Sequence, residues 1–230
     1  MNGFINNNEI IRIAIDGPAG AGKSSVARAV AERLGILYLD TGAMYRAFAY
    51  YVLNRGQLSD INDADKLSGL FEGFGLSFEE GKIFLNGEDI TEQIRTPRID
   101  KEVSVFASNA MIRREMVRLQ QRIARNRSII MEGRDICTVV LKDTAYKFYL
   151  DASVEERARR RHEQNLQKGI DSDMEKIKAD IIRRDEADQS RKADPLRIDK
   201  DAYVVDSTHM TQEEVIETII AKVDEIKNAL

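Results

Sequence analysis

The sequence predicts an α/β protein built on a parallel β-sheet with helices on both faces. Three observations predict this class: five short apolar stretches are rich in β-branched or aromatic residues, helical patterns lie between them, and a glycine-rich loop follows the first stretch. Parallel strands need long crossover connections, and helices usually supply them. Alternation of this kind therefore indicates a parallel sheet rather than an antiparallel one.

The five predicted strands lie within "EIIRIAID", "GILYLD", "RSIIMEG", "AYKFYLD" and "AYVVDS". Each is apolar and of strand length, and helical spacing of apolar residues resumes after most of them. Ligands of open parallel sheets bind beyond the carboxyl ends of the strands. We therefore expect the residues that end the first four strands to lie along one functional edge: Asp16, Asp40, Gly133 and Asp151.

The glycine-rich loop "GPAGAGKS" fits the pattern G-x-x-x-x-G-K-[ST] of a phosphate-binding loop, or P-loop. Its glycines allow several backbone N–H groups to surround one anion. Lys23 can reach the β and γ phosphates of a nucleotide, and the Ser24 hydroxyl is a predicted Mg²⁺ ligand. The helical pattern "SSVARAVAERLG" follows at once, so a helix N-terminus adds its positive end to the site.

Composition limits the other possibilities. The chain has 230 residues, of which 43% are hydrophobic and 32% are charged, as expected for one soluble globular domain with or without insertions. A net charge of -4 argues against a general nucleic-acid-binding surface. One cysteine excludes an intrachain disulfide, and only two histidines accompany it, so a structural zinc site is not expected. There is no membrane-length apolar stretch and the polar start does not resemble a signal peptide, which predicts a cytoplasmic protein.

Two segments depart from simple alternation. Residues near 61–100 contain "LSFEEGKIFLNGEDI", which predicts a small hairpin with turns at Gly81 and Asn86-Gly87. Residues 153–195 are dense in charge, and one long helix is predicted from near Asp100 to Arg125. We interpret 61–100 as a substrate-binding insert and 153–195 as a mobile lid on a single domain spanning residues 1–230.

Residues outside the P-loop favour a kinase. A guanine-nucleotide switch needs an N/T-K-x-D motif, which the chain lacks, and a motor normally needs a much longer chain. An anionic phosphate acceptor needs cations and hydroxyls opposite the ATP γ-phosphate. The segments "LDTGAMYR", "MEGRDICTVV" and "RRDEADQSR" supply them, as does the arginine-rich start of the charged segment.

Simpler interpretations remain open for several of these residues. The run from Arg157 to Arg161 could be a solvated helix face paired with neighbouring glutamates. Arg134 and Asp135 could form a structural ion pair, although their position just past a strand end favours a ligand role. Cys137 is more readily explained as a small buried hydrophobic residue than as a nucleophile.

Five segments in this order resemble the bacterial cytidylate kinases, members of the nucleoside monophosphate kinase group: "AIDGPAGAGKSS", "YLDTGAMYR", "EGRDICTVV", "FYLDAS-EERA-RR" and "RRDEADQSR-ADPL". The resemblance extends from about Arg12 to the final helix. The P-loop alone is generic, whereas the three motifs that follow it are specific in combination. The resemblance implies transfer of the γ-phosphoryl group of ATP to CMP or dCMP with Mg²⁺ by a monomer. The net charge and the lack of a membrane-length apolar stretch predict no nucleic-acid or membrane partner.

Roles for individual residues are implied by this resemblance alone. ATP and its metal would be held by Gly17, Pro18, Ala19, Gly20, Ala21, Gly22, Lys23, Ser24 and Ser25. The acceptor phosphate would be held by Thr41, Arg46, Arg134 and Arg184. The cytosine would be recognised by Asp135, Arg114 and Ser104, and the sugar and lid side by Asp188 and Arg191. Catalytic roles would fall to Lys23, Arg134, Arg157 and Arg184.

The sequence departs from the family pattern at two places. Cys137 stands where the family usually has glycine, which should require only local repacking. The spacing between Ser104 and Arg114 is shifted, so Ser108 or Arg113 could take their roles. Two other functions stay open: a related kinase acting on UMP, AMP or a non-nucleotide metabolite, and a P-loop regulator that binds nucleotide without turnover.

Overall fold

The computed structural model describes residues 10–79 and 81–229, and these residues form two compact units. The core unit comprises the described residues up to Tyr38 and from Asn126 onwards, and the insert unit is Leu39–Arg125. In the described part of the chain no helix has the length and apolar character that crossing a membrane requires. The predicted insert near 61–100 falls within the insert unit, and the predicted lid falls within the core unit.

The chain contains both parallel and antiparallel strands together with long helices. The strands are β1 (Arg12–Asp16), β2 (Leu37–Asp40), β3 (Leu76–Glu79), β4 (Lys82–Leu85), β5 (Glu88–Asp89), β6 (Ile129–Gly133), β7 (Tyr146–Asp151) and β8 (Tyr203–Asp206). The α-helices are α1 (Lys23–Leu34), α2 (Thr41–Asn54), α3 (Ala64–Glu72), α4 (Pro97–Ser108), α5 (Ala110–Ala124), α6 (Val154–Gln167), α7 (Met174–Ser190) and α8 (Gln212–Ala229).

The main sheet has the strand order β2-β6-β1-β7-β8. β1 pairs in parallel with both β6 and β7, and β7 pairs in parallel with β8. The predicted α/β class with a parallel sheet is therefore confirmed. The chain leaves β1 on one side for β2 and later returns on the other side for β7, which makes the carboxyl end of β1 a topological switch point where ligands bind in such folds.

Apolar residues of β1 and β7 are buried on both sides of the sheet, which explains their nearly continuous hydrophobic sequences. One layer of this core is formed by α1 and α8, whose buried residues pack against the strands through Val30 and Ile219 among others. α8 begins with a capping box, since Thr211 and Glu214 each accept a hydrogen bond from the other's backbone N–H. This packing fixes the position of the loop between β1 and α1.

The charged segment of the core unit folds as two helices that pack against each other, α6 and α7. Ser153 caps α6 by accepting a hydrogen bond from the Glu156 N–H, and Asp173 caps α7. An ion pair of 2.7 Å between Lys178 and Glu155 connects them. High charge density is thus compatible with an ordered helical pair here.

The insert unit has its own small sheet and an aromatic core. Its antiparallel strands have the order β3-β4-β5, with positive φ at Gly81 and at Asn86 and Gly87, as the predicted turns require. Phe48 stacks on Phe71 with ring centroids 4.2 Å apart and meets Phe74 edge-on at 5.1 Å. These contacts form an aromatic cluster in the core of the insert unit.

The prediction of one helix from Asp100 to Arg125 is wrong. The helix is interrupted at Asn109, whose ψ of 117° is extended and whose side chain accepts hydrogen bonds from the N–H groups of Met111 and Ile112. Asn109 also donates to the Ile61 carbonyl at 3.2 Å. Asparagine is a favoured N-cap, and this tertiary contact holds it there. The break explains why helical spacing cannot relate Ser104 to Arg113 or Arg114.

Candidate active site

The P-loop joins β1 to α1 and is shaped by close backbone contacts. A Cβ atom at Gly17 would lie 2.0 Å from the Leu150 carbonyl oxygen of β7, so only glycine fits there. Gly20 and Gly22 have φ values of +81° and +89°, which L side chains rarely adopt. Gly22 caps α1 without a side-chain hydrogen bond, and the first turn of α1 holds no acidic residue. The helix N-terminus can therefore offer its N–H groups to an external anion.

Gly17→Ala tests this close approach. We expect the free energy of unfolding to fall by at least about 3 kcal/mol, because the added methyl must displace backbone rather than a flexible side chain. Gly35→Ala is the matched control: Gly35 also has positive φ, but a Cβ there would meet nothing within 4 Å. Its expected cost is about 1 kcal/mol of backbone strain. Chemical denaturation measures both, and equal losses for the two variants would contradict the steric account.

Lys23 is a buried cation whose pKa is affected by several charged groups of the core unit. Its ammonium donates a hydrogen bond to the Pro18 carbonyl at 2.8 Å, and the residue is only 5% exposed. Burial, and next the positive charge of Arg134, lower the pKa of Lys23 to about 7, against the opposing effect of Glu132, Asp16 and Asp188. The fold thus holds this ammonium at an electrostatic cost that an anionic ligand would offset.

Asp16 is the last residue of β1, and its side chain hydrogen-bonds to the turn that follows Arg134. Its two carboxylate oxygens accept hydrogen bonds from the N–H groups of Ile136 and Cys137, each at 2.8 Å. Burial, opposed by these hydrogen bonds and assisted by Asp135, raises the pKa of Asp16 to about 6. Asp135 is itself buried just before a π-helical turn, Ile136–Val140. Asp16 is therefore turned into the protein, where it holds the backbone that follows the Gly-Arg-Asp motif in place.

Cys137 belongs to this turn and is buried. Its Sγ approaches the carbonyl oxygens of Ala14 and Phe148 at 3.6 and 3.5 Å. Burial, with the nearby charge of Asp16, raises the pKa of the thiol far above its ordinary value. A thiol held protonated is a poor nucleophile, so the interpretation of Cys137 as a small packing residue holds.

Arg134 lies in the ion pair that connects the Gly-Arg-Asp turn to α7. Its Nε donates to Asp188 Oδ2 at 2.7 Å, and its Nη1 donates to the Gly133 carbonyl at 3.3 Å. The other oxygen of Asp188 lies 3.9 Å from Arg191 Nη1. Three residues predicted from two distant segments, Arg134, Asp188 and Arg191, are thus brought together. Arg184 lies on the same helix and is exposed.

Arg157 is not part of a solvated helix face. It is 4% exposed and donates hydrogen bonds to the Ala152 carbonyl at 2.9 Å and to the Ala19 carbonyl of the P-loop at 2.8 Å. Its neighbour Arg159 does fit that simpler interpretation, because it is half exposed and pairs with Glu156 and Glu163. Arg157 therefore contacts the P-loop by a direct hydrogen bond.

The insert unit carries the other predicted substrate residues. Thr41 is buried at the start of α2, and Arg46 on the same helix forms an ion pair with Asp100 of α4. Ser104 and Arg114 are exposed, whereas Arg113 is buried, donates to the Ala107 carbonyl at 3.2 Å and lies 6.0 Å from the centre of the Tyr45 ring. The sequence could not distinguish Arg113 from Arg114, but the structure does, because only Arg113 is buried.

Two acidic residues of the site were missed by sequence reasoning. Glu132, buried in β6, accepts a hydrogen bond from the Tyr38 hydroxyl at 3.0 Å and interacts with Lys23. Asp185 on α7 accepts from the Ala19 N–H at 3.3 Å and from Arg157 at 2.7 Å. A charged residue within an apolar strand was a usable signal for Glu132. Nothing distinguishes Asp185 from the other charges on its helix except its tertiary contacts.

Comparison with known proteins places these features in a family. A sequence model of the family described as cytidylate kinase matches residues 13–225. The chain belongs to the cytidylate kinase family. Proteins named cytidylate kinase from Bacillus cytotoxicus and from Shouchella clausii are 45% and 48% identical to it, over 94% and 93% of this chain and 96% of each relative. The motif resemblance to the cytidylate kinases is therefore confirmed, and it applies to nearly the whole chain.

A solved structure supports the fold independently of these relatives. An uncharacterized protein from Eubacterium ventriosum ATCC 27560 aligns with a TM-score of 0.52 at 13% identity, covering 94% of this chain and 99% of that one. Sequence identity at this level supports only a shared fold. The assignment to the cytidylate kinase family rests on the sequence relatives, and the solved structure supports only the fold.

Proposed function

We propose that the protein transfers the γ-phosphoryl group of ATP to CMP or dCMP, giving ADP and CDP or dCDP. The proposal rests on membership of the cytidylate kinase family and on two cations of the core unit: Lys23, which is buried in the P-loop, and Arg134, whose positive charge helps to lower the pKa of Lys23. One cation comes from the P-loop and the other from the turn after the neighbouring strand. Two such cations repel each other until phosphate groups bind between or beside them, so their juxtaposition suits a reaction between two phosphates.

The donor side of the reaction belongs to the P-loop. Residues 17–25 would hold the ATP phosphates through backbone N–H groups and Lys23. The Ser24 hydroxyl is exposed and has no hydrogen-bond partner among the described residues, and Mg²⁺ prefers such oxygen ligands. Ser24 would therefore hold Mg²⁺, which when bound neutralises charge on the phosphate oxygens.

The acceptor side would use the arginines and carboxylates beyond the strand ends. We assign the acceptor phosphate to Thr41, Arg46, Arg134 and Arg184, and the sugar to Asp188 and Arg191. Asp135 would recognise cytosine together with Ser104 and with Arg113 or Arg114. Of the two arginines we favour Arg113, because a buried and fixed guanidinium is better suited to base recognition than an exposed one.

The chemistry needs positioning and charge neutralisation more than covalent catalysis. An oxygen of the CMP phosphate forms a bond to the γ-phosphorus of ATP while the bond from that phosphorus to the β–γ bridging oxygen breaks, and ADP leaves. The attacking phosphate is already ionised near neutral pH, so no general base is required. Lys23, Arg134, Arg157 and Arg184 would stabilise the charge on the transferring group.

Water must be kept from the transferring group, since otherwise ATP would be hydrolysed. We propose that residues 61–100 act as a monophosphate-binding insert and that 153–195 act as a lid of a single kinase domain. We further propose that the enzyme works as a monomer in the cytoplasm, with small molecules rather than nucleic acids as partners.

An acceptor panel tests the proposed function. ADP release is followed by a coupled assay with ATP and Mg²⁺ and with CMP, dCMP, UMP, AMP, GMP or dTMP as acceptor. Turnover with CMP and dCMP far above the others is expected. Turnover with UMP or AMP instead would support the kinase activity but show that the assignment of cytosine as the recognised base is wrong. Absence of turnover with every acceptor would favour a non-nucleotide substrate or a non-enzymatic nucleotide-binding protein.

Asp135→Ala tests the base-recognition assignment. We expect kcat/KM for CMP to fall by about 10- to 100-fold, the value of a charged hydrogen bond of 1.5–3 kcal/mol, while the Kd of ATP changes less than threefold. Asp143→Ala, at an exposed loop position of the same unit, is the control and should retain wild-type values. Kinetics and calorimetry measure the two quantities. Equal losses of CMP use and ATP binding would identify Asp135 as a structural residue.

A further inference from the structure

Asp185 of α7 contacts the P-loop directly. Its Oδ1 accepts a hydrogen bond from the Ala19 N–H at 3.3 Å, and its Oδ2 accepts one from Arg157 Nη1 at 2.7 Å. Arg157 in turn donates to the Ala19 carbonyl at 2.8 Å, so the three residues form a closed cycle of hydrogen bonds. A carboxylate of α7, within the predicted lid, thus contacts the predicted nucleotide-binding loop.

The donors that Asp185 uses are those that bind phosphate. A backbone N–H of a P-loop and a guanidinium both favour anionic oxygens, and carboxylate and phosphate oxygens satisfy them in the same way. Arg157 also packs over the loop, with its Cβ 3.4 Å from the position that a Cβ of Gly20 would occupy. The carboxylate of Asp185 therefore occupies donors of the P-loop and of Arg157 that could otherwise bind phosphate.

The Asp185–Arg157 pair is poorly hydrated. The side chains of Arg157 and Asp185 are only 5% and 13% exposed, so water screens this charge much less than it screens a surface charge. If the Asp185 carboxylate stayed in place, it would repel a bound polyphosphate. The Ala19 N–H and one nitrogen of the Arg157 guanidinium would also already be hydrogen-bonded to Asp185. Binding of the ATP phosphates and retention of the Asp185 contacts are therefore in conflict.

We propose that Asp185 competes with the ATP phosphates for the P-loop and for Arg157, and so sets the affinity for the phosphate donor. The inference rests on the proposed function, because it assumes that the loop binds ATP. When ATP binds, the carboxylate leaves and Arg157 becomes available to the phosphates. Arg157 keeps its place during the exchange through its hydrogen bond to the Ala152 carbonyl.

Asp185→Asn isolates the charge, because the amide oxygen can still accept a hydrogen bond from Arg157 or Ala19. The Kd values of ATP, inorganic tripolyphosphate and adenosine are measured by calorimetry for the wild type and the variant. We expect ATP and tripolyphosphate to bind at least threefold more tightly to the variant, and adenosine binding to stay unchanged. Asp180→Asn is the matched control, since Asp180 lies on the same helix but is exposed, and it should retain the wild-type values.

Unchanged or weaker binding of tripolyphosphate to Asp185→Asn would overturn the inference, because Asp185 would then be dispensable or would hold the loop in its binding conformation. Thermal melting checks that each variant is folded. If the asparagine variant does not fold, Asp185→Ser removes the charge with less bulk and carries the same expectation. Failure of the wild type to bind ATP or tripolyphosphate would overturn the proposed function and this inference with it. Normal wild-type binding without tightening in the variant would overturn the inference alone.

Discussion

Lys23→Met is expected to lower kcat for CMP phosphorylation by about 10²–10³-fold, the cost of losing one preorganised charge at the transferring group. Lys23 is almost fully buried and is held toward the P-loop by the Pro18 carbonyl. The hydrogen bond to Pro18 thus already holds the ammonium within the P-loop. Methionine has a similar length and no charge, so it removes the electrostatic contribution with little change in packing.

The stability of Lys23→Met shows whether a loss of activity comes from lost catalysis or from unfolding. Burial lowers the pKa of Lys23, which means that the folded protein accommodates the ammonium less well than the unfolded chain does. Replacing it by methionine should leave the melting temperature equal to that of the wild type or raise it. Lys176→Met, at a side chain that is 83% exposed on α7, is the control and should keep full activity. A Lys23→Met enzyme with near-normal kcat would contradict the P-loop assignment.

Arg134→Met is expected to lower kcat/KM for CMP by about 10²–10³-fold, mainly through lost stabilisation of the acceptor and transferring phosphates. Arg134 is held by Asp188 and by the Gly133 carbonyl, and its charge lies close enough to Lys23 to lower the pKa of that group. Without Arg134, an anionic acceptor would face Asp188 without its principal counter-charge. The Kd of ATP should change much less, because the P-loop is intact.

Steady-state kinetics with varied CMP and calorimetry with ATP measure these two effects. Arg183→Met is the control on α7, where the side chain is 74% exposed, and it should behave as the wild type. Arg134→Lys should recover part of the loss, since it restores charge without the planar guanidinium that contacts Asp188. If Arg134→Met and Arg183→Met had equal activity, Arg134 would be only a partner in a structural ion pair.

Features encoded by contiguous residues were predictable from the sequence. The strand, loop and helix around Lys23 follow one another along the chain, and the glycines at 17, 20 and 22 take the backbone angles that the motif demands. The turn at Asn86-Gly87 was predictable for the same reason, because its positive φ values are a local property of these two residues. Such elements are predictable because residues adjacent in the chain largely determine their conformation.

Features that depend on distant contacts were not predictable. The break at Asn109 is accompanied by a hydrogen bond to the Ile61 carbonyl of another segment, and the apolar periodicity on either side does not indicate this contact. Arg157 and Arg159 lie two residues apart on one helix, yet only the first reaches the P-loop. The burial of Arg113 rather than Arg114 likewise follows from packing against the Tyr45 side of the insert unit. Sequence patterns place charges on helices but do not say which ones the fold encloses.

The most direct test of the central claim is ³¹P NMR of the enzyme with ATP, Mg²⁺ and CMP. The phosphoryl-transfer account predicts that resonances of ADP and CDP grow together in equal amounts while those of ATP and CMP fall, with no inorganic phosphate beyond the background without enzyme. Growth of ADP and inorganic phosphate with CMP unchanged would show that the site hydrolyses ATP instead, and would contradict the proposed function.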